Sequence, residues 1–181
     1  MKKTLFFILI LLAALAAFWF FNAKTTRPQT QDGKITVVAS GYVPYTVAKQ
    51  IGGDNIHLSM LLPANAEPHS FEPTPGAIVA VHGADVFIYV SGRIEPWATD
   101  ILTNTQDGAI VVEAAASAKP SKDPHVWMDF DNMRPFAQAI AQALQEKDPS
   151  HQAVYAANLA AFNRQLDELD RQFAAALKNC K

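Results

Sequence analysis

Two short stretches carry residues able to do chemistry: "EPHSFEPTP", residues 67–75, and "DPHVWMD", residues 123–129. Each places one histidine, His69 or His125, directly after an acid-proline pair. A neutral imidazole is a good ligand for a divalent metal, and its aim improves when the backbone beneath it is stiff. Pro68, Pro73, Pro75 and Pro124 supply that stiffness by fixing their own φ and restricting the residues before them. The plain alternative for either stretch alone is a surface or capping histidine. Meeting the same device twice favours ligation, and we expect His69 and His125 to be two ligands of one metal ion.

The neighbours need lesser roles. No spacing requires Glu67 or Glu72 to ligate, so both are expected as solvated loop charges. Asp123 and Asp129 suit a helix cap or an acceptor for the His125 ring. His57 lies inside a strand pattern, His82 precedes a glycine at a helix end, and His151 opens a long helix; none is expected as a ligand. In "SGRIEPWATDIL", residues 91–102, Glu95 is expected as an N-terminal helix charge favoured by the dipole, and Trp97 as packing.

The elements that must position these residues alternate in texture. "KITVVAS", "NIHLSMLL", "ADVFIYVS" and "AIVVEAA" are short runs rich in Val and Ile, and read as strands. Between them "PYTVAKQIGG", "TPGAIVAVHG" and "EPWATDILTN" read as helices opened by proline or closed by Gly or Asn. The order predicts an α/β fold: a four-stranded parallel sheet with helices on both faces. Ligands of such sheets sit beyond the carboxyl ends of the strands, where the loops converge. His69 follows the second strand and His125 the fourth, so both fall on that edge. After Asn132 the pattern is helix only, ending in a long helix from Pro149 whose Leu159, Phe162, Leu166, Leu169, Phe173 and Leu177 step by three or four.

Length and charge bound the rest. The chain has 181 residues and a formal net charge of −2, which fits one core and gives no basic face for nucleic acid. Met1 to Lys3 is a short positive head and Leu5 to Phe21 an unbroken apolar run, the pattern of an export signal. Residues 1–23 are expected as a signal peptide or a retained N-terminal membrane anchor, residues 24–33 as a linker. Because the one cysteine is Cys180, the chain is expected not to be a lipoprotein and to hold no internal disulfide. Its expected place is periplasmic or extracytoplasmic, with residues 4–21 as an inner-membrane anchor where uncleaved.

Three collinear stretches, "KITVVASGYVPYTVAKQIGGDNIHLSMLLPANAEPHSFEPTP", "ADVFIYVSGRIEPWA" and "DPHVWMDFDNMRPFAQAIAQAL", resemble the periplasmic solute-binding proteins of zinc and manganese ABC transporters, the cluster A-I or TroA-like family. The resemblance implies two lobes joined by one long rigid helix, with the metal held between them by four residues. His69 and His125 match the two ligands of the N-terminal lobe, which would span residues 34–148, and residues 149–181 match the connecting helix. The second lobe, with another histidine and usually a carboxylate, has no counterpart, which suggests a shortened copy with an incomplete site. Two imidazoles leave half the coordination to water, so affinity is expected to fall by orders of magnitude. The helix stripe would also lose part of its cover and invite self-association.

The expected function is therefore a binding module: capture of Zn²⁺ or Mn²⁺ as transported ligand, and delivery to the permease of an ABC importer. No enzymatic role is expected. Protons compete for the imidazole lone pairs, so capture should weaken as the solution acidifies. Two other readings stand beside it: a metal-dependent hydrolase with Glu67 or Glu72 as base, which lacks an H-E-x-x-H helix, and an adhesin-like surface protein with a vestigial metal site. Between Ser70 and Pro124 only His82 is a histidine, so no His-rich loop marks the chain for zinc.

Overall fold

A computed structural model describes residues 32–102, 109–119 and 121–178. The expected signal or anchor and most of the linker, together with Cys180, lie outside these residues. The elements run β1 (Ile35–Ala39), α1 (Tyr42–Gly52), β2 (Ile56–Met60), α2 (Pro75–Gly83), β3 (Val86–Tyr89), α3 (Pro96–Leu102), β4 (Ile110–Glu113), α4 (Phe130–Lys147) and α5 (Gln152–Leu177). Short 3₁₀ turns at Pro68–Ser70 and Val126–Met128 carry the histidine loops.

The four strands form one parallel sheet in the order β2-β1-β3-β4, as the alternation of textures predicts. Its registers pair Val37 with Leu58 and with Val86, and Phe87 with Val111. Because side chains alternate along a strand, neighbouring residues enter different cores. Val37, Val86 and Ile88 pack with Val47, Ile51, Phe136, Ile140 and Leu144 under α1, α4 and α5. Val38, Phe87 and Tyr89 pack with Val81, Trp97, Ala98 and Ile101 under α2 and α3. β3 is buried at all four positions, which explains its uninterrupted apolar texture.

The helix boundaries follow local chemistry. Pro75 and Pro96 open α2 and α3, where a missing N–H removes nothing from the ladder. The Thr74 hydroxyl accepts from the Ala77 amide, capping α2. Gly53 ends α1 at φ +59, a conformation that favours glycine. The apolar stripe of α5 is buried at Phe162 and Leu166, while Leu169, Phe173 and Leu177 are 43%, 56% and 58% exposed. The helices α1 and α4, against which α5 packs, therefore cover only its first part.

Candidate functional site

The loops after β2 and β4 carry His69 and His125 to the same edge of the sheet, and their ring centres lie 6.3 Å apart at an interplanar angle of 84°. Both side chains are about half exposed, at 48% and 46%. A tetrahedral ion with metal–nitrogen distances of about 2.0–2.1 Å would draw two imidazole centres to roughly 5 Å. The observed spacing is a little wider than that, a difference that small side-chain rotations of half-exposed rings can close.

Each histidine is set by its acidic neighbour. The Glu67 carboxylate accepts from the His69 amide at 3.3 Å, opening the 3₁₀ turn, and lies 4.0 Å from His69 Nε2. Asp123 accepts from the His125 amide at 2.9 Å and meets His125 Nδ1 at 2.6 Å. A carboxylate can only accept, so the ring proton sits on Nδ1 and the lone pair is left on Nε2, the arrangement that orients a ligating histidine. The bonds from the His125 amide and ring also hold the Asp123 carboxyl below the usual carboxylate range. Asp129 takes the other role the sequence allowed, capping α4 by accepting from the Asp131 amide at 2.8 Å. Trp127 packs edge-on against the His125 ring at 5.2 Å.

Several supports were not legible in the sequence. Trp97 packs as expected, with Phe71 edge-on at 5.0 Å, but its indole N–H also donates to the Pro68 carbonyl at 3.0 Å. Arg93 donates through Nη1 and Nη2 to the Ser121 and Lys122 carbonyls at 3.3 and 2.7 Å. Asn132, nearly buried, accepts from the Lys119 amide and donates to the Val126 carbonyl, bracketing the His125 loop. Glu95 precedes α3 as expected, yet it is not a solvated dipole partner. It is 2% exposed and turns back to accept from the Val90 amide at 2.6 Å. Burial pushes its carboxyl up, against the pull of the Ser40 hydroxyl and the Val90 and Ser91 amides. It lines an apolar cleft of ≈290 Å³ with Pro68 and Trp127, next to the histidine loops.

The remaining histidines stay apart from this pair. His57 meets Asp32 at 2.8 Å, His82 contacts the Ile101 carbonyl, and His151 meets Asp148 at 2.7 Å. Among the described residues no group of three or more His, Cys, Asp or Glu side chains could hold a metal. Among the described residues the candidate site is thus two imidazoles, each about half exposed to solvent.

The profile of the family described as zinc-uptake complex component A, periplasmic (ZnuA), matches residues 37–181. The chain belongs to this family. It is 31% identical over 197 aligned residues to the metal ABC transporter substrate-binding lipoprotein ScbA of Streptococcus cristatus, covering 99% of this chain and 63% of that protein. It is 33% identical to the manganese-binding lipoprotein MntA of Halalkalibacterium halodurans, covering 94% of this chain and 58% of the relative. The Zn(II)-bound ZnuA-like domain of AdcA from Streptococcus pneumoniae superposes with a TM-score of 0.76 at 27% identity, over 82% of this chain and 58% of that one. The chain therefore spans about 60% of the length of the relatives it matches. The family is one of solute-binding transport proteins, and the four-stranded parallel sheet with its helices and long final helix is the part of the expected fold that this chain shares with the matched structures.

One expectation is corrected by these relatives. The reading of residues 4–21 as an inner-membrane anchor of a chain that is not a lipoprotein conflicts with relatives that are lipoproteins by name. The exclusion of a lipoprotein rested on the position of the single cysteine, and the anchor on the length of the apolar run from Leu5 to Phe21. Among the described residues no helix is long and apolar enough to cross a membrane. Residues 4–21 themselves lie outside them.

Proposed function

We propose that this chain binds Zn²⁺ or Mn²⁺ as the cargo of an ABC importer and passes it to the membrane permease, with His69 and His125 as its two metal donors. Residues 34–148 form the metal-binding lobe in this reading, and residues 149–181 the helix that leads away from it. The observation that carries it is the convergence of two half-exposed imidazoles to 6.3 Å from loops at opposite ends of the strand order. Asp123 supports it by leaving the Nε2 lone pair of His125 free for an ion. The donors completing the coordination would be water or groups beyond the described residues.

Titration calorimetry with Zn²⁺ and with Mn²⁺ tests the site. His69→Ala and His125→Ala should each abolish the binding that the wild-type chain shows, with the fold intact by circular dichroism. Asp123→Ala should weaken binding about tenfold, since outer hydrogen-bond partners of ligating histidines typically contribute that much. Unchanged affinity in both histidine variants would refute the assignment.

A further inference from the structure

The segment after β3, residues 91–97, turns out of a central strand into the start of α3, between the loops that leave β2 and β4. It contacts both. Trp97 donates from its indole N–H to the Pro68 carbonyl, the residue before His69, and its ring carries Phe71, two residues after. Arg93 forks onto the Ser121 and Lys122 carbonyls, directly before the Asp123-Pro124-His125 segment. The turn itself is fixed from below: Ser91 accepts from the Ile94 and Glu95 amides, and Glu95 accepts from Val90. Gly92 also lies close against α3, where a Cβ would come within 2.9 Å of Thr99 Cγ2.

We propose that Arg93 and Trp97 are positioning residues that brace the two histidine loops against one rigid turn and so set the separation of the rings. The inference rests on the metal-site reading above and adds to it the device that holds the donors ready. Neither residue touches the ion. Trp97 fixes the His69 side through packing and one hydrogen bond, and Arg93 fixes the His125 side through a planar fork that matches two successive carbonyls. A brace of this kind lowers the ordering needed at the moment of capture, which is how preorganisation raises affinity.

Two readouts on the full chain test it. The first is the nuclear Overhauser contact between the His69 and His125 ring protons in metal-free protein; the second is Zn²⁺ affinity by calorimetry. Trp97→Phe keeps most of the packing and loses the N–H, while Arg93→Gln loses the fork on an exposed side chain that the core does not need. Each should weaken the ring-to-ring contact and lower affinity about tenfold, with Arg93→Lys between them and the wild type. Arg171→Gln, on the exposed part of α5, should change neither readout. If the folded variants keep both the ring contact and wild-type affinity, the brace is overturned. A weaker contact with unchanged affinity likewise overturns its role in capture. Should Trp97→Phe fail to fold, the two Arg93 variants decide the question on the His125 side. Wild-type affinity in His69→Ala and His125→Ala would instead sink the metal-site reading, and the metal-free ring contact would still show whether the turn sets the spacing.

Discussion

Glu95 is the residue whose chemistry departs most from its surroundings. A carboxyl at 2% exposure is tolerated because backbone amides at the end of β3 point at it. Removing it by Glu95→Ala should orphan the Val90 amide and destabilise by about 1–3 kcal/mol in urea denaturation. Glu95→Gln keeps an acceptor oxygen and should lose less. Because burial raises this carboxyl in the fold, its contribution is complete below its unfolded value and is lost as pH rises through the folded one. The glutamine variant lacks that slope, so the stability gap between the two proteins should narrow or reverse on going from acid to neutral pH. The histidines belong to the same scale: their acid-proline neighbours were readable from the sequence, because φ restriction and a local carboxylate act within two residues.

At the scale of elements, the joint between α4 and α5 is a hydrogen-bonded knot around one carboxylate. Asp148 accepts from the Tyr155 hydroxyl at 2.7 Å, from the Ser150 hydroxyl, and meets His151 Nδ1 at 2.7 Å. Burial alone would push this carboxyl up, but these partners more than offset it and hold it below the ordinary range. Its contribution is therefore present above the unfolded value and lost as pH falls through the lower folded one. Asp148→Asn should cost about 1–3 kcal/mol near neutral pH and progressively less in acid, read from denaturation midpoints across pH. The helices and strands were legible at this scale because each is bounded by proline, glycine or a capping side chain and keeps its own period. The knot was not, since His151 in the sequence looked only like a helix opener.

Across the whole molecule, packing is uneven along α5. Tyr155, Phe162 and Leu166 are buried where α5 packs on α1 and α4, whereas Leu169, Phe173 and Leu177 stand exposed, with Phe173 touching only Phe130 among the aromatic rings of the described residues. Amide hydrogen exchange should accordingly be slow around residues 155–166 and fast beyond about residue 169, where few buried contacts resist opening. Phe162→Ala should destabilise by about 3 kcal/mol or more, while Phe173→Ala should stay within about 1 kcal/mol. By itself the sequence determined the α/β order, the parallel sheet with helices on both faces, the long final helix and the pair His69 and His125 on one sheet edge. These follow from short-range periods, from proline and glycine, and from the rule that parallel strands need crossover helices. Only the tertiary structure decided that Trp97 reaches Pro68 and Arg93 reaches Ser121 and Lys122, partners 28 or 29 positions apart. It also decided that Asn132 ties down the His125 loop and that Glu95 is buried. Such contacts depend on strand order and on which loops meet above β3, and no local period of a chain encodes which distant carbonyl a side chain will find.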